Sequence, residues 1–139
     1  MKNENLKQRT KKFGLDIIML VEKLPRDRSC DVLGRQLLRS ATSVGANYRA
    51  ACRAKSAADF ISKMGTVEEE AGESGFWLEM LVDSGKLHSE QAKALLRESI
   101  ELTAISVASI NTAKKSSNLK QPAARAGNSA LRTPHTALR

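Results

Sequence analysis

Arg28, Arg35, Arg39, Arg49 and Arg53 recur at steps of seven, four, ten and four residues. On a helix of 3.6 residues per turn these steps return all five to one side. A guanidinium is a planar, permanently charged fork that can hold two phosphate oxygens at once. The row therefore reads as a phosphate-binding stripe. Gln36, Ser40, Ser43 and Asn47 form an uncharged polar stripe beside it, and Leu33, Leu37, Ala41, Val44, Tyr48 and Ala51 take the opposite side. Such sorting predicts a helix with a core on one flank and an anionic or amide-rich partner on the other. That partner is either a nucleic acid or another subunit of the same protein.

Other chemistry finds less support. Glu68, Glu69, Glu70 and Glu73 could suggest a di-metal carboxylate bundle, but that site needs inward Glu-x-x-His pairs, and His88 and His135 both fall outside the expected helices. The expectation is a solvated or subunit-facing acidic surface and no metal. Cys30 and Cys52 lie 22 residues apart on one expected helix. That places them about 33 Å apart, beyond disulfide reach, so ordinary buried thiols are expected. Ser40 and Ser43 have no nearby His and no glycine-rich elbow, so no nucleophile is expected. Gly65 to Gly75 lacks the Lys-Ser/Thr of a phosphate loop. Phe76, Trp77 and Tyr48 do not form the interleaved aromatic set that stacks single-stranded bases. The reading is non-enzymatic, with no cofactor.

Charge is uneven along the chain. The net charge is +8 over 139 residues. Residues 1–12 carry five Lys/Arg against one Glu, and residues 114–139 carry six Lys/Arg and no acid. The middle, 13–113, is net −2. Basic arms attract phosphate backbones through a salt-sensitive, sequence-independent attraction. Lys11 and Lys12 are the arm residues expected to join the arginines, with Lys7 and Arg9 adding reach. There is no signal-like apolar segment at the start and no span of membrane length, so a reducing cytoplasm is the expected compartment.

The elements that must position these residues are helices. Between Arg26 and Gln121 there is no proline, and aromatics are only 4%. Helix 1 is expected at about 6–24, with Phe13, Ile17, Leu20, Val21 and Leu24 as its apolar stripe. Pro25 ends it, and Asp27 or Ser29 caps the next. Helix 2 spans about 29–55, with Gly34 and Gly45 read as sites of close packing. Ser56 and Asp59 make a capping box for helix 3, about 57–84. Its seam is Phe60, Met64, Val67, Ala71, Ser74, Leu78 and Leu81, with Gly65, Gly72 and Gly75 suggesting tight contacts. Gly85 suits the helix exit. Ser89 caps helix 4, about 90–115, with Leu96, Ile100, Thr103, Val107 and Ile110 as its seam and Leu95 and Leu102 beside it. The expected organisation is an all-α, antiparallel up-down-up-down four-helix bundle over 1–115 with a disordered basic tail over 116–139.

Two of these helices oppose each other in charge. Arg26 to Lys55 carries seven Lys/Arg against two acids, and Ser56 to Asp83 carries seven acids against Lys63 alone. Within one bundle the helices are neighbours. Between bundles, the basic face of one subunit can meet the acidic face of the next.

The run Gln36-Leu37-Leu38-Arg39-Ser40-Ala41-Thr42-Ser43-Val44-Gly45-Ala46-Asn47 closely resembles the helix-2 signature of the 23S ribosomal RNA intervening-sequence proteins. Asp59-Phe60 to Glu73, Trp77-Leu78, Leu81 and Asp83-Ser84-Gly85 look like that family's helix 3 and its exit turn. Relatives of the family include the accessory variability proteins of diversity-generating retroelements. The resemblance implies a four-helix bundle assembling into a ring-like homopentamer, and in the retroelement branch a basic ring that binds nucleic acid and a reverse transcriptase. Where most such chains carry Ile-Ala-Glu after the helix-2 Asn, this one has Tyr48-Arg49-Ala50, which exchanges an acid for a basic surface.

The expected function is a non-enzymatic oligomeric bundle that binds RNA or DNA phosphates through Arg28, Arg35, Arg39, Arg49, Arg53, Lys11 and Lys12. The alternative is a structural homo-oligomer that binds no nucleic acid.

Overall fold

The computed structural model describes residues 2–120. Four helices follow in order: α1 (Lys2–Glu22), α2 (Arg28–Cys52), α3 (Ala57–Asp83) and α4 (Glu90–Lys120). There is no strand among the described residues. Helix α4 runs through 116–120, past the expected start of the tail, and 121–139 lie outside the described residues.

The helix ends are fixed by local chemistry. Asp27 rather than Ser29 caps α2, its carboxylate accepting from the Cys30 backbone N–H at 2.8 Å. At the start of α3, Ser56 Oγ accepts from Asp59 N at 3.0 Å, and the Asp59 carboxylate accepts from Lys55 N at 3.1 Å. The Ser56 hydroxyl satisfies a donor that the first turn leaves open, and the Asp59 carboxylate reaches back past the cap to the residue before it. Gly85 leaves α3 at φ +81°, a left-handed conformation that costs glycine little. Ser89 Oγ accepts from Ala92 N at 3.1 Å to open α4.

Short loops turn each helix back on the one before. Gly45 of α2 sits against Thr10 of α1, and Gly14 of α1 against Ala41 and Thr42 of α2, so the two run antiparallel. Helices α1–α2, α2–α3 and α3–α4 pack along their lengths, and a lighter contact between α1 and α4 closes the bundle. The topology places the start of α1, the end of α2, the start of α3 and the end of α4 at one end.

The seams of α1, α2 and α3 bury Phe13, Ile17, Leu20, Leu37, Val44, Met64, Leu78 and Leu81. Helix α4 is turned from its expected orientation. Its core face is Ala92, Leu95, Ser99, Leu102, Ser106 and Ile110, while Ile100 is 62% exposed and Val107 is 39% exposed. The helix presents hydroxyls to the core without loss because each bonds its own backbone. Ser99 Oγ donates to Leu96 O at 2.7 Å and Ser106 Oγ to Leu102 O at 2.8 Å. Gly75 makes room for Ser99, since a Cβ there would lie 2.8 Å from its Oγ.

The light α1–α4 seam has its own clasp. Arg9 donates from Nε to Glu98 Oε2 at 2.7 Å and from Nη2 to Glu98 Oε1 at 2.8 Å, and reaches Glu101 as well. Glu98 first, then Glu101, raises the Arg9 pKa far above its ordinary value. Arg9 is therefore committed to α4 and does not extend the cationic arm. Arg9→Met should cost about 1–2 kcal/mol in urea denaturation, and Arg9→Lys should recover only part, since an ammonium cannot reproduce the paired geometry.

Candidate nucleic-acid interface on the outer face of the second helix

Two neighbouring helices and the core between them decide which side of α2 remains free. Toward the centre it buries Leu37, Ala41, Val44, Tyr48 and Ala51. Toward α1 it offers Gly34 and Gly45. A Cβ at Gly34 would lie 3.2 Å from Leu24 Cδ1, and one at Gly45 would lie 3.4 Å from the Thr10 carbonyl. Both glycines are packing sites, as the sequence suggested. Toward α3 lies the uncharged polar stripe. Ser40 is fully buried, with its hydroxyl 2.9 Å from that of Ser74. Ser43 Oγ donates to Arg39 O at 2.7 Å, and Asn47 Nδ2 to Ser43 O at 2.8 Å. Ser40, Ser43 and Asn47 of the polar stripe are thus satisfied within their own bundle, and Ser40 meets α3.

The remaining side carries the arginines. At 100° per residue, Arg28, Arg35, Arg39, Arg49 and Arg53 span about 80° of the circumference and about 38 Å of the axis. All five are exposed. Arg39 differs from the other four. It leans to α3 and pairs with Glu70 at 3.4 Å and, more closely, with Glu73. The acidic cluster expected to be solvated or subunit-facing is therefore partly engaged by Arg39 of the same chain. Arg28, Arg35, Arg49 and Arg53 form no ion pair among the described residues.

Of the two arm lysines, Lys12 pairs with Asp16 one turn on, at 2.6 Å, and its pKa is raised mainly by that bond. Lys11 is exposed and, with Arg49, borders a shallow groove of about 300 Å³ between α1 and α2. The groove brings the α1 arm and the α2 stripe to one surface. Arg9 bonds partners 89 and 92 residues away, which its local sequence does not show. The one available signal was the pair Glu98 and Glu101, three residues apart on one side of α4.

The near end of α2 carries a pH-sensitive contact. The Asp27 carboxylate, held by the Cys30 N–H and then by Lys86 Nζ at 2.9 Å, has its pKa lowered from 3.8 to about 2. A depressed carboxylate stabilises the fold above its unfolded pKa and loses that contribution as pH falls through the folded value. Stability from this cap should be intact above about pH 4 and fade toward pH 2. NMR titration of Asp27 should give a midpoint near 2 in the protein, and an ordinary midpoint near 3.8 would remove the cap from the account. The same capping region holds the buried Cys30 thiol, whose pKa burial pushes up. Both cysteines are free.

Among the described residues, no group of three or more His, Cys, Asp or Glu is placed to hold a metal ion. No helix among them is long and apolar enough to cross a membrane.

Fold and surface together define a four-helix protein with one outward cationic helix. The chain belongs to the 23S rRNA-intervening sequence protein family, whose model matches residues 2–108. Among solved structures it is similar to a protein of unknown function from the S23 ribosomal protein family of Bacteroides thetaiotaomicron VPI-5482. The two share 34% identity with a TM-score of 0.73, over 80% of this chain and 99% of that one. No curated protein matches the chain.

Proposed function

We propose that this protein binds the phosphate backbone of RNA or DNA along the outer face of α2, without base readout. The observation that carries the reading is the row of Arg28, Arg35, Arg49 and Arg53, exposed and unpaired among the described residues, beside an Arg39 that is engaged. Four permanent cations on one face repel one another, and a polyanion is the partner that relieves this most. Arginine also suits the ligand, since its fork matches phosphate oxygens. Lys11 continues the surface onto α1. Binding of the purified protein to a mixed-sequence RNA should weaken linearly in log affinity against log salt. Four phosphate contacts give a slope of about −3 for a single strand. Undiminished affinity at physiological salt, or no affinity at low salt, rejects the reading. Association with a reverse transcriptase is implied by the retroelement resemblance alone, and a pull-down with such an enzyme tests it.

The second reading is a structural homo-oligomer without nucleic acid. Its support is the exposure of large apolar residues on separate faces, among them Leu15, Met19, Phe76, Met80 and Ile100. The resemblance sets the expected size at five copies, and solution mass tests that number.

A further inference from the structure

Gly65 and Gly72 lie within α3, where each glycine costs about 1 kcal/mol relative to Ala. Tight packing inside the bundle does not explain them. A Cβ at either position would meet nothing within 4 Å, unlike Gly75, which faces Ser99. By helical period, Gly65, Gly72, Phe76 and Met80 share the outward side of α3 with Glu69 and Asp83. Phe76 is 50% exposed and Met80 is 43% exposed. The face is therefore two apolar knobs beside two bare stretches of backbone, flanked by acids.

The complementary shape is elsewhere on the same chain. The groove between α1 and α2 has a floor of Gly14, Gly45 and Ala46, a wall of Leu15 and Ile18, and Lys11 and Arg49 on its rim. Leu15 is 52% exposed and Ile18 is 38% exposed. Knobs beside the Asp83 carboxylate match an apolar groove with Lys11 and Arg49 on its rim.

We infer that the outer face of α3 in one copy seats in the α1–α2 groove of a second copy, with Phe76 and Met80 entering it and Gly72 letting the backbones approach. The contact is head-to-tail, because the two surfaces differ. It rests on the assembly reading, and it touches the phosphate-binding surface only at Lys11 and Arg49 on the groove rim, leaving Arg28, Arg35 and Arg53 outside the groove lining.

Light scattering on three variants without nucleic acid tests it. Phe76→Asp with Met80→Asp removes the knobs, and Leu15→Asp with Ile18→Asp removes the groove wall. The wild type should be a multimer at about 100 µM and each double variant a monomer. An equimolar mixture of the two should form a dimer of one copy each, since one intact knob and one intact groove remain. Gly72→Leu should raise the melting temperature at low micromolar protein, as a better helix former, while lowering the mass at about 100 µM. A wild-type monomer overturns the assembly reading itself. A wild-type multimer whose mass survives either double variant overturns this interface alone. So does a mixture that stays monomeric, which means like faces meet like. A Gly72→Leu chain that keeps the wild-type mass removes the close approach of the backbones.

Discussion

With Arg28, Arg35, Arg49 and Arg53 all changed to Glu, affinity for a mixed-sequence RNA should fall at least about 100-fold near 0.1 M salt. Exposed charge contacts of somewhat under 1 kcal/mol each sum to about 3 kcal/mol, and reversal adds repulsion to the loss. The slope of log affinity against log salt should shrink by about 3, which a merely misfolded protein would not do selectively. Stability should hardly move. The four side chains are exposed and have no ion-pair partners among the described residues, and Glu and Arg are similar helix formers. Small opposed effects at the two ends of α2 partly cancel, since Glu suits Arg28 in the first turn and not Arg49 in the last. Arg39→Glu is the contrasting control. It should destabilise the protein by setting like charges against Glu70 and Glu73, and it should change affinity less than the quadruple variant. Unchanged RNA affinity in the quadruple variant would end the phosphate reading.

Leu102→Ala should cost about 3 kcal/mol in urea denaturation, while Ile100→Ala should fall within about 0.5 kcal/mol of wild type. Leu102 is 2% exposed and Ile100 is 62% exposed. Truncating the first leaves a cavity among packed side chains. Truncating the second exposes little new surface and slightly improves helix propensity. For a bundle of this size the first change should lower the melting temperature by about 10 °C. The measurement belongs at low micromolar protein, where assembly contributes least. A large cost at Ile100 with a small one at Leu102 would mean that α4 presents its expected seam to the core after all.

These residues show where the sequence was legible. Three seams stand out because Phe13, Leu37, Met64 and Leu78 are large and recur at helical period. Caps were legible because Ser56, Asp59 and Gly85 act on their own backbone. Helix α4 misled because its core face alternates Leu95 and Leu102 with Ala92, Ser99 and Ser106. Hydroxyls and a methyl do not register as a seam, and the room for Ser99 is supplied by Gly75 on another helix. The same limit applies to the surface. That five arginines share a face follows from spacing alone. That Arg39 is engaged does not, because Glu70 and Glu73 lie 31 and 34 residues away. Gly65, Gly72 and Gly75 look alike in the sequence, and only their surroundings separate one internal contact from two outward ones.

The way the helices alternate gives the described residues an electrical axis. Residues 2–12, 45–69 and 103–120, gathered toward one end, hold twelve Lys/Arg and four acids, a net charge of +8. Residues 13–44 and 70–102, toward the other, hold eight Lys/Arg and eleven acids, a net charge of −3. Antiparallel helix dipoles largely cancel, so side chains set this polarity. In the field of a polyanion such a body turns before it touches, with its positive pole leading. First encounter then falls at Arg49 and Arg53, and Arg35 and Arg28 engage as the strand settles along α2. Salt should therefore slow association more than it hastens release.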